Sequence, residues 1–383
     1  MTPLVAPAQG PSAPIAAPLS QLPVAVVGAG PVGLAAAAHL VQRGLTPLVL
    51  EQGAAVAQAM REWAHVRVFS PWRYNLDAAA MVLLAETGWT VPDPEALPTG
   101  GDIVSRYLDP LARHPRIAPH VRTGATVLGI ARQGVGKTVT DGRELMPFNV
   151  RWRDGTGAEH ELLAQAVIDA SGTWLQPNPM GVAGHWVPGE RQAADRIAYG
   201  IPNVLGAART DYAGQHVLVV GAGHSAINVV LDLLRLQPSA PGTQVSWALR
   251  SGRVEKLIGG GAADKLAARG ALGLAVKDLL AKDQVRLLAP FAATRVEPTT
   301  SGLRVTGMLN GVEHRLDVDR IVVATGFRPD VTLARELRMA LDPILEAPPA
   351  LAPLIDPNLH SCGTVPPHGV VELAHPEPGF FIV

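Results

Sequence analysis

Val24-Ala-Val-Val-Gly28-Ala-Gly30-Pro-Val-Gly33-Leu-Ala-Ala-Ala-Ala-His-Leu-Val-Gln-Arg43 decides the fold. The apolar run Val24 to Val27 reads as a short buried strand. Three glycines follow with the spacing Gly-x-Gly-x-x-Gly, and an alanine-rich helical stretch begins at once. Gly44 stops that helix. Thr46-Pro-Leu-Val-Leu50 reads as a second strand that ends at Glu51. Strand, glycine turn, helix and strand in that order make a β-α-β unit.

Each glycine has a physical task. Gly28 permits the tight turn, Gly30 lets a pyrophosphate approach the backbone, and Gly33 lets the helix lie close to the sheet. The helix N-terminus, with Pro31 and Val32 in its first turn, offers free N–H groups and partial positive charge to phosphates. Glu51 lies 18 residues beyond Gly33, with Gln52 beside it. A carboxylate there accepts hydrogen bonds from ribose hydroxyls and repels a 2′-phosphate, which favours FAD or NAD over NADP.

The pattern recurs. Gln215 to Val220 reads as a strand, Gly221-Ala-Gly223-His224-Ser225-Ala226 as the turn, Ile227 to Leu236 as helix and Gln244 to Leu249 as the next strand. No acid ends that strand. Arg250 and Arg253 stand there instead, and the planar guanidinium fork suits a 2′-phosphate, which favours NADPH over NADH. Two hairpins repeat as well. One runs from Phe148 through Gly155-Thr-Gly157 to Val167 and leads into Ala170-Ser171-Gly172-Thr173. The other runs from Leu303 through Asn310-Gly311 to Val318 and leads into Ala324-Thr325-Gly326. The expected fold class is α/β, with two Rossmann-like three-layer (ββα) dinucleotide-binding domains, the second inserted in the first. The expected boundaries are a flexible tail at 1–21, a first FAD-binding segment at 22–175, a connector at 176–205, an NAD(P)H-binding domain at 206–320 and a return segment at 321–383. Leu257 to Ala281 reads as a helical cover over a cleft.

Bulk properties narrow the classes. The chain has 383 residues, a formal net charge of −1 and 48% hydrophobic residues, so nothing attracts nucleic acid or an anionic membrane globally. No apolar run is long enough to span a bilayer. A single cysteine, Cys362, excludes an internal disulfide or a Cys-x-x-Cys pair and suits a reducing, cytoplasmic setting. Oligomeric state is not legible.

The order Gly28-x-Gly-x-x-Gly33, Glu51, Ala170-Ser-Gly172, Gly221-x-Gly-x-Ser-Ala226 and Ala324-Thr-Gly326 resembles the flavoproteins with two dinucleotide-binding domains. These are the pyridine nucleotide-disulfide oxidoreductase-like and flavin-containing monooxygenase-like enzymes. The resemblance covers nearly all of residues 22–383. It implies that Gly28, Gly30, Gly33 and Glu51 hold the ADP half of FAD and that Val127 touches adenine through its backbone. It implies further that Ser171 to Thr173 and Thr325-Gly326 mark the crossings between domains. Gly221, Gly223, Ser225, Ala226 and Arg250 would hold NADPH, and Trp63 to Asn75 would approach the isoalloxazine ring. His224 in the second turn reads equally as a nucleotide contact or as a turn residue.

The function implied is hydride transfer from NADPH to FAD, then oxygenation of a small organic substrate by O2. An NAD(P)H:acceptor reductase or oxidase shares every motif, and a nucleotide-binding module without turnover is a third reading. The absence of Cys-x-x-Cys argues against disulfide reduction in the thioredoxin reductase manner, and the Baeyer–Villiger signature is missing. The resemblance also implies a glycine-containing loop and helix after a strand such as Phe380-Phe-Ile-Val383. The sequence stops at Val383, so the expectation is either that the return segment is truncated there or that part of the flavin site is missing. No acid–base pair or nucleophile stands out, and Arg67, Trp72, Arg73 and Asn75 are candidate pocket residues. Two patterns read as decoys. Ala131 to Thr138 mimics a phosphate loop without a following helix, and His360, Cys362, His368 and His375 lack metal-ligand spacing, so no metal is expected.

Overall fold

The structure, a computed structural model, describes residues 18–252, 267–282, 284–356, 358–359 and 366–383. Strands β1 (Val24–Val27), β2 (Pro47–Leu50) and β3 (Val121–Arg122) come first. The meander β4 (Thr126–Arg132), β5 (Phe148–Arg153) and β6 (Glu159–Ala164) follows, then β7 (Ala166–Asp169). The second half runs β8 (Ile197–Tyr199), β9 (His216–Val220), β10 (Gln244–Ala248) and β11 (Arg286–Leu288). It continues with the meander β12 (Phe291–Pro298), β13 (Leu303–Leu309) and β14 (Val312–Val318), then β15 (Arg320–Val323) and β16 (Phe380–Ile382).

Two parallel five-stranded sheets result, in the orders β16-β7-β1-β2-β3 and β11-β10-β9-β15-β8. They match element for element, with β1 and β9 central and each fingerprint strand flanked by its own β-α-β partner. The edge strands differ in origin. β16 comes from the chain end, whereas β8 comes from the segment ahead of the second unit. The expected duplication and α/β class are present.

Local chemistry explains the first unit. Gly30 stands at the N-cap of helix Pro31–Gln42, and Pro31 occupies the first turn. Proline there presets φ and lacks an N–H that would have no helical partner. Leu34, Ala37 and Ala38 are buried against the sheet. The leucine contributes about 1.5–3 kcal/mol by leaving water, and the alanines set the close approach. In the second unit Trp247 on β10 is fully buried, and its indole N–H donates to the carbonyl of Gly221 at 2.8 Å. The hairpin at Asn310-Gly311 has positive φ at both residues, 51° and 81°, the backbone twist that two-residue turns prefer.

Four expectations need correction. The boundary at 320/321 cuts through β15, which pairs with β9, so the chain leaves the second sheet only after Val323. The connector 176–205 donates β8 to that same sheet. An apolar strand inside a parallel sheet looks alike whichever sheet it joins, so the run alone could not place it. The run to Val167 is two strands, broken at Gln165 between β6 and β7. Helix Ala267–Ala281 is no cover: its Val276 and Leu279 are buried in the core beside β9 and β10. Residues 257–266 lie outside the described residues.

Strands β4 and β12 lacked a sequence signal for a physical reason. Each carries a register shift, at Val127/Gly129 and Ala293/Arg295, and a bulge interrupts the alternation that marks a strand. The stretch from Ala131 to Thr138 ends β4 and enters a turn rather than opening a helix.

Candidate functional site

The carboxyl ends of β1, β2 and β7 open on a cleft of about 460 Å³. Gly28, Gly30, Pro31, Val32, Glu51, Gln52, Trp63, Val127, Ser171, Gly172 and Thr173 all line it. The glycines divide by role. Gly28 has φ +95°, and a Cβ there would stand 2.6 Å from the carbonyl oxygen of Ala170. A Cβ on Gly33 would stand 2.0 Å from the carbonyl oxygen of Gly28, and Gly33 does not line the cleft. A Cβ on Gly30 would meet nothing within 4 Å. The outer two glycines are therefore demanded by the fold, and the middle one leaves space for something outside it.

Glu51 is only 7% exposed. Its Oε2 accepts the N–H of Ala29 at 2.9 Å and its Oε1 accepts the N–H of Gly53 at 2.8 Å. Two backbone donors hold the carboxylate at the cleft wall, and each oxygen retains a lone pair for a further donor.

A second cleft, of about 650 Å³, opens at the ends of β9 and β15. Gly221, Gly223, Ser225, Arg250, Thr325 and Gly326 line it. The first turn's geometry repeats: Gly221 has φ +137° and its Cβ would meet the Ala324 oxygen at 2.3 Å, while Gly223 has open space. Ala226 is buried, as Gly33 is, and lies beneath the turn. His224 does not line the cleft, and its ring lies 5.2 Å from that of Phe69. Arg253 lies outside the described residues.

The two clefts carry opposite charge. The ionisable side chains lining the first are Glu51, Glu62 and Asp330, all acids. Those lining the second are Arg250 and Arg328. Among the described residues, no histidine, lysine, tyrosine or cysteine side chain lines either cleft.

A family model for the pyridine nucleotide-disulphide oxidoreductases matches residues 25–348. The chain belongs to this family. It is 31% identical over 213 residues to an indole-3-pyruvate monooxygenase of Oryza sativa subsp. japonica, a match covering 55% of this chain and 44% of that protein. The chain thus spans less than half the length of that relative. Among solved structures, a bacillithiol disulfide reductase of Bacillus cereus is 17% identical with a TM-score of 0.68, covering 94% of this chain and 89% of that one. A cadaverine monooxygenase of Erwinia amylovora, solved with FAD, is 16% identical with a TM-score of 0.62, covering 94% and 87%. An ornithine N-hydroxylase of Kutzneria sp. 744, solved with FAD and NADP+, is 19% identical with a TM-score of 0.59, covering 84% and 86%. The family is one of flavoprotein oxidoreductases, and FAD with NADPH is the cofactor pair in keeping with it.

The family fold needs supports that the motifs did not reveal. Glu190 is fully buried and accepts from the N–H of Met180 at 2.9 Å, the N–H of Val187 at 3.0 Å and the hydroxyl of Tyr199 at 2.9 Å. It fixes the loop 178–187 along the second cleft. Burial and the adjacent carboxylate push the Tyr199 phenol well above its ordinary range. Trp174 stacks on Phe327 with centroids 4.7 Å apart, and its indole N–H donates to Glu62 Oε2 at 2.6 Å. That stack joins the two inter-domain crossings. Trp174, Glu62 and Phe327 are far apart in sequence and meet only in the folded chain, whereas the Glu190 contacts span three to ten residues without forming a recognised motif.

The segment Trp63–Asn75 is only partly what was expected. Trp63 lines the first cleft and packs on Gly100, where a Cβ would stand 2.6 Å from the indole. Trp72 is core, 1% exposed. Arg73 pairs with Glu95, Arg67 donates to the Leu97 carbonyl, and Asn75 donates to the carbonyls of Ser70 and Pro71. None of these four lines either cleft. His65 lies beside them with its imidazole pKa lowered, chiefly by burial. His375 packs against Phe380, while His360 and Cys362 lie outside the described residues.

Proposed function

We propose that this protein is an NADPH- and FAD-dependent monooxygenase acting on a small organic substrate with O2, in a cytoplasmic setting. The single observation that carries the cofactor reading is the pair of glycine turns with clefts of opposite charge. FAD has two phosphate charges, and NADPH adds a 2′-phosphate dianion. Glu51 would take the ribose hydroxyls of FAD, and the N-terminus of helix Pro31–Gln42 its pyrophosphate. Arg250, at the end of β10, would take the 2′-phosphate, with Gly223 and Ser225 beside the pyrophosphate. The fit rests on open space above Gly30 and Gly223 and on the spare lone pairs of Glu51.

When bound, the flavin supplies hydride acceptance and oxygen activation. The chain's own residues bind, orient and shield. Trp63, Trp174 and Leu175 give the first cleft an apolar wall, which limits water. Among the described residues, the acid–base side chains lining the first cleft are carboxylates alone, which suits chemistry done by a cofactor. Oxygenation rather than disulfide reduction is supported by the single cysteine. It is supported also by the named oxygenase relatives. The test is anaerobic reduction of the FAD-loaded protein by NADPH, followed by oxygen and a panel of small amines and 2-oxo acids. Oxygenated product is expected. Stoichiometric hydrogen peroxide with every compound, and no oxygenated product, refutes it.

A further inference from the structure

We propose that Arg328 is a second anion-binding residue of the nicotinamide cleft, which holds the pyrophosphate common to NADPH and NADH, and that Glu346 competes for it in the free protein. This rests on the reading of that cleft as the nicotinamide dinucleotide site. Sheet order places β9 between β10 and β15. Arg250 follows β10 and Arg328 follows β15, so the two residues stand on opposite sides of the β9 glycine turn in sheet order, and both line the cleft. Arg250 is placed for the adenosine end, and Arg328 is left for a charge nearer the turn.

The backbone of Arg328 is held firmly. Its N–H donates to the Gln176 carbonyl at 2.9 Å, and the carbonyl of neighbouring Gly326 accepts the Asn178 N–H at 2.9 Å. Its side chain is 60% exposed and lies along the loop at Gly184, where a Cβ would stand 3.9 Å from Nη2. The partner it has is poor. Glu346 Oε2 is 3.7 Å from Nε, and the glutamate side chain is itself 41% exposed, so the pair contributes little. A phosphate oxygen offers the guanidinium shorter, paired hydrogen bonds.

Glu346 is not placed there by chance packing. Its φ is +55°, a left-handed conformation that non-glycine residues seldom adopt. A tight loop imposes it: the Glu346 N–H donates to the Asp342 carbonyl at 2.9 Å, and the Asp342 N–H donates to that of Ala347 at 2.8 Å. Unfavourable backbone held beside a cationic cleft is a feature of ligand-responsive sites. The carboxylate acts as a replaceable counter-ion.

Calorimetric titration of the FAD-loaded protein with NADP+ and with NAD+ tests this. Arg328→Ala is expected to weaken both nucleotides about tenfold (about 1.4 kcal/mol), with partial recovery in Arg328→Lys. Arg250→Ala is expected to weaken NADP+ alone. Glu346→Gln is expected to tighten both nucleotides severalfold. Unchanged affinities in Arg328→Ala, with NADP+ selectively weakened in Arg250→Ala, overturn this inference and leave the cleft reading standing. No binding of either nucleotide by the parent protein overturns both. If Arg328→Ala does not fold, unchanged affinities in Arg328→Lys and Glu346→Gln overturn the inference equally.

Discussion

Alanine at Gly30 and alanine at Gly33 should behave as opposites, although both change one glycine of the same turn. At Gly33 the new Cβ would stand 2.0 Å from the Gly28 carbonyl oxygen, whereas ordinary contact begins at 3.4 Å. The helix Pro31–Gln42 would have to move off the sheet by about 1.4 Å, the shortfall from ordinary contact. That displacement drags Leu34, Ala37 and Ala38 out of register with β1. Overpacking of this kind costs about 1–3 kcal/mol and distorts the turn as well. At Gly30 the Cβ meets nothing of the protein, and φ is −76°, which alanine adopts freely. Stability should stay within about 1 kcal/mol of the parent, because the entropy gained against glycine offsets a weaker N-cap. The methyl group instead fills the space proposed for the pyrophosphate. Loss of one or two charge-assisted hydrogen bonds, about 1.5–3 kcal/mol each, weakens FAD by at least about tenfold. Chemical denaturation of the apoprotein and FAD titration by flavin fluorescence measure the two quantities separately. Parental FAD affinity in Gly30→Ala, or parental stability in Gly33→Ala, would refute this division of labour.

Glu51→Ala should lower FAD affinity and also cost about 1–3 kcal/mol of stability, since the N–H groups of Ala29 and Gly53 lose their acceptor; FAD titration and denaturant melts read both. Trp247→Phe leaves the buried Gly221 carbonyl without its indole donor, so NADP+ binding should weaken while FAD binding does not, as paired titrations would show. Glu377 is fully buried, with Arg132 at 2.8 Å and Arg143 at 2.8 Å. Burial alone would raise its pKa, but hydrogen bonds from Arg143 and Arg132 and the Arg338 N–H outweigh it, and the net shift is downward from 4.5. Its stabilisation is therefore present above pH 4.5 and lost as pH falls through the lower folded value. Glu377→Gln should cost roughly 3 kcal/mol at pH 7, with the gap closing in acid; a gap that is constant with pH contradicts the assignment.

The sequence exposed features whose cause is local. A glycine turn between a strand and a helix, an apolar run that must be buried and a carboxylate that ends a strand all announce themselves within a few residues. Gly28, Gly33 and Glu51 were legible for that reason, as were Gly221 and Arg250. The decoy from Ala131 to Thr138 was legible too, because a phosphate loop needs a helix after it. The bulged strands β4 and β12 were not, since an inserted residue shifts the alternation that reveals a strand. That Trp72 is core and Arg73 pairs with Glu95 was not legible, because the partners of an aromatic or a cation are set by the folded chain.

By itself, the sequence determined that two β-α-β units with glycine turns would form and that their second strands would end in unlike charge. Only the tertiary structure decided that β8 and β15 share the second sheet, that Glu190 fixes the wall of the second cleft, that Trp174 stacks on Phe327, and that Arg328 joins Arg250 around one turn. The physical reason is range. Backbone conformation and hydrophobic burial are set by neighbours along the chain, but the charge lining a cleft sums groups that meet only once the sheets have formed.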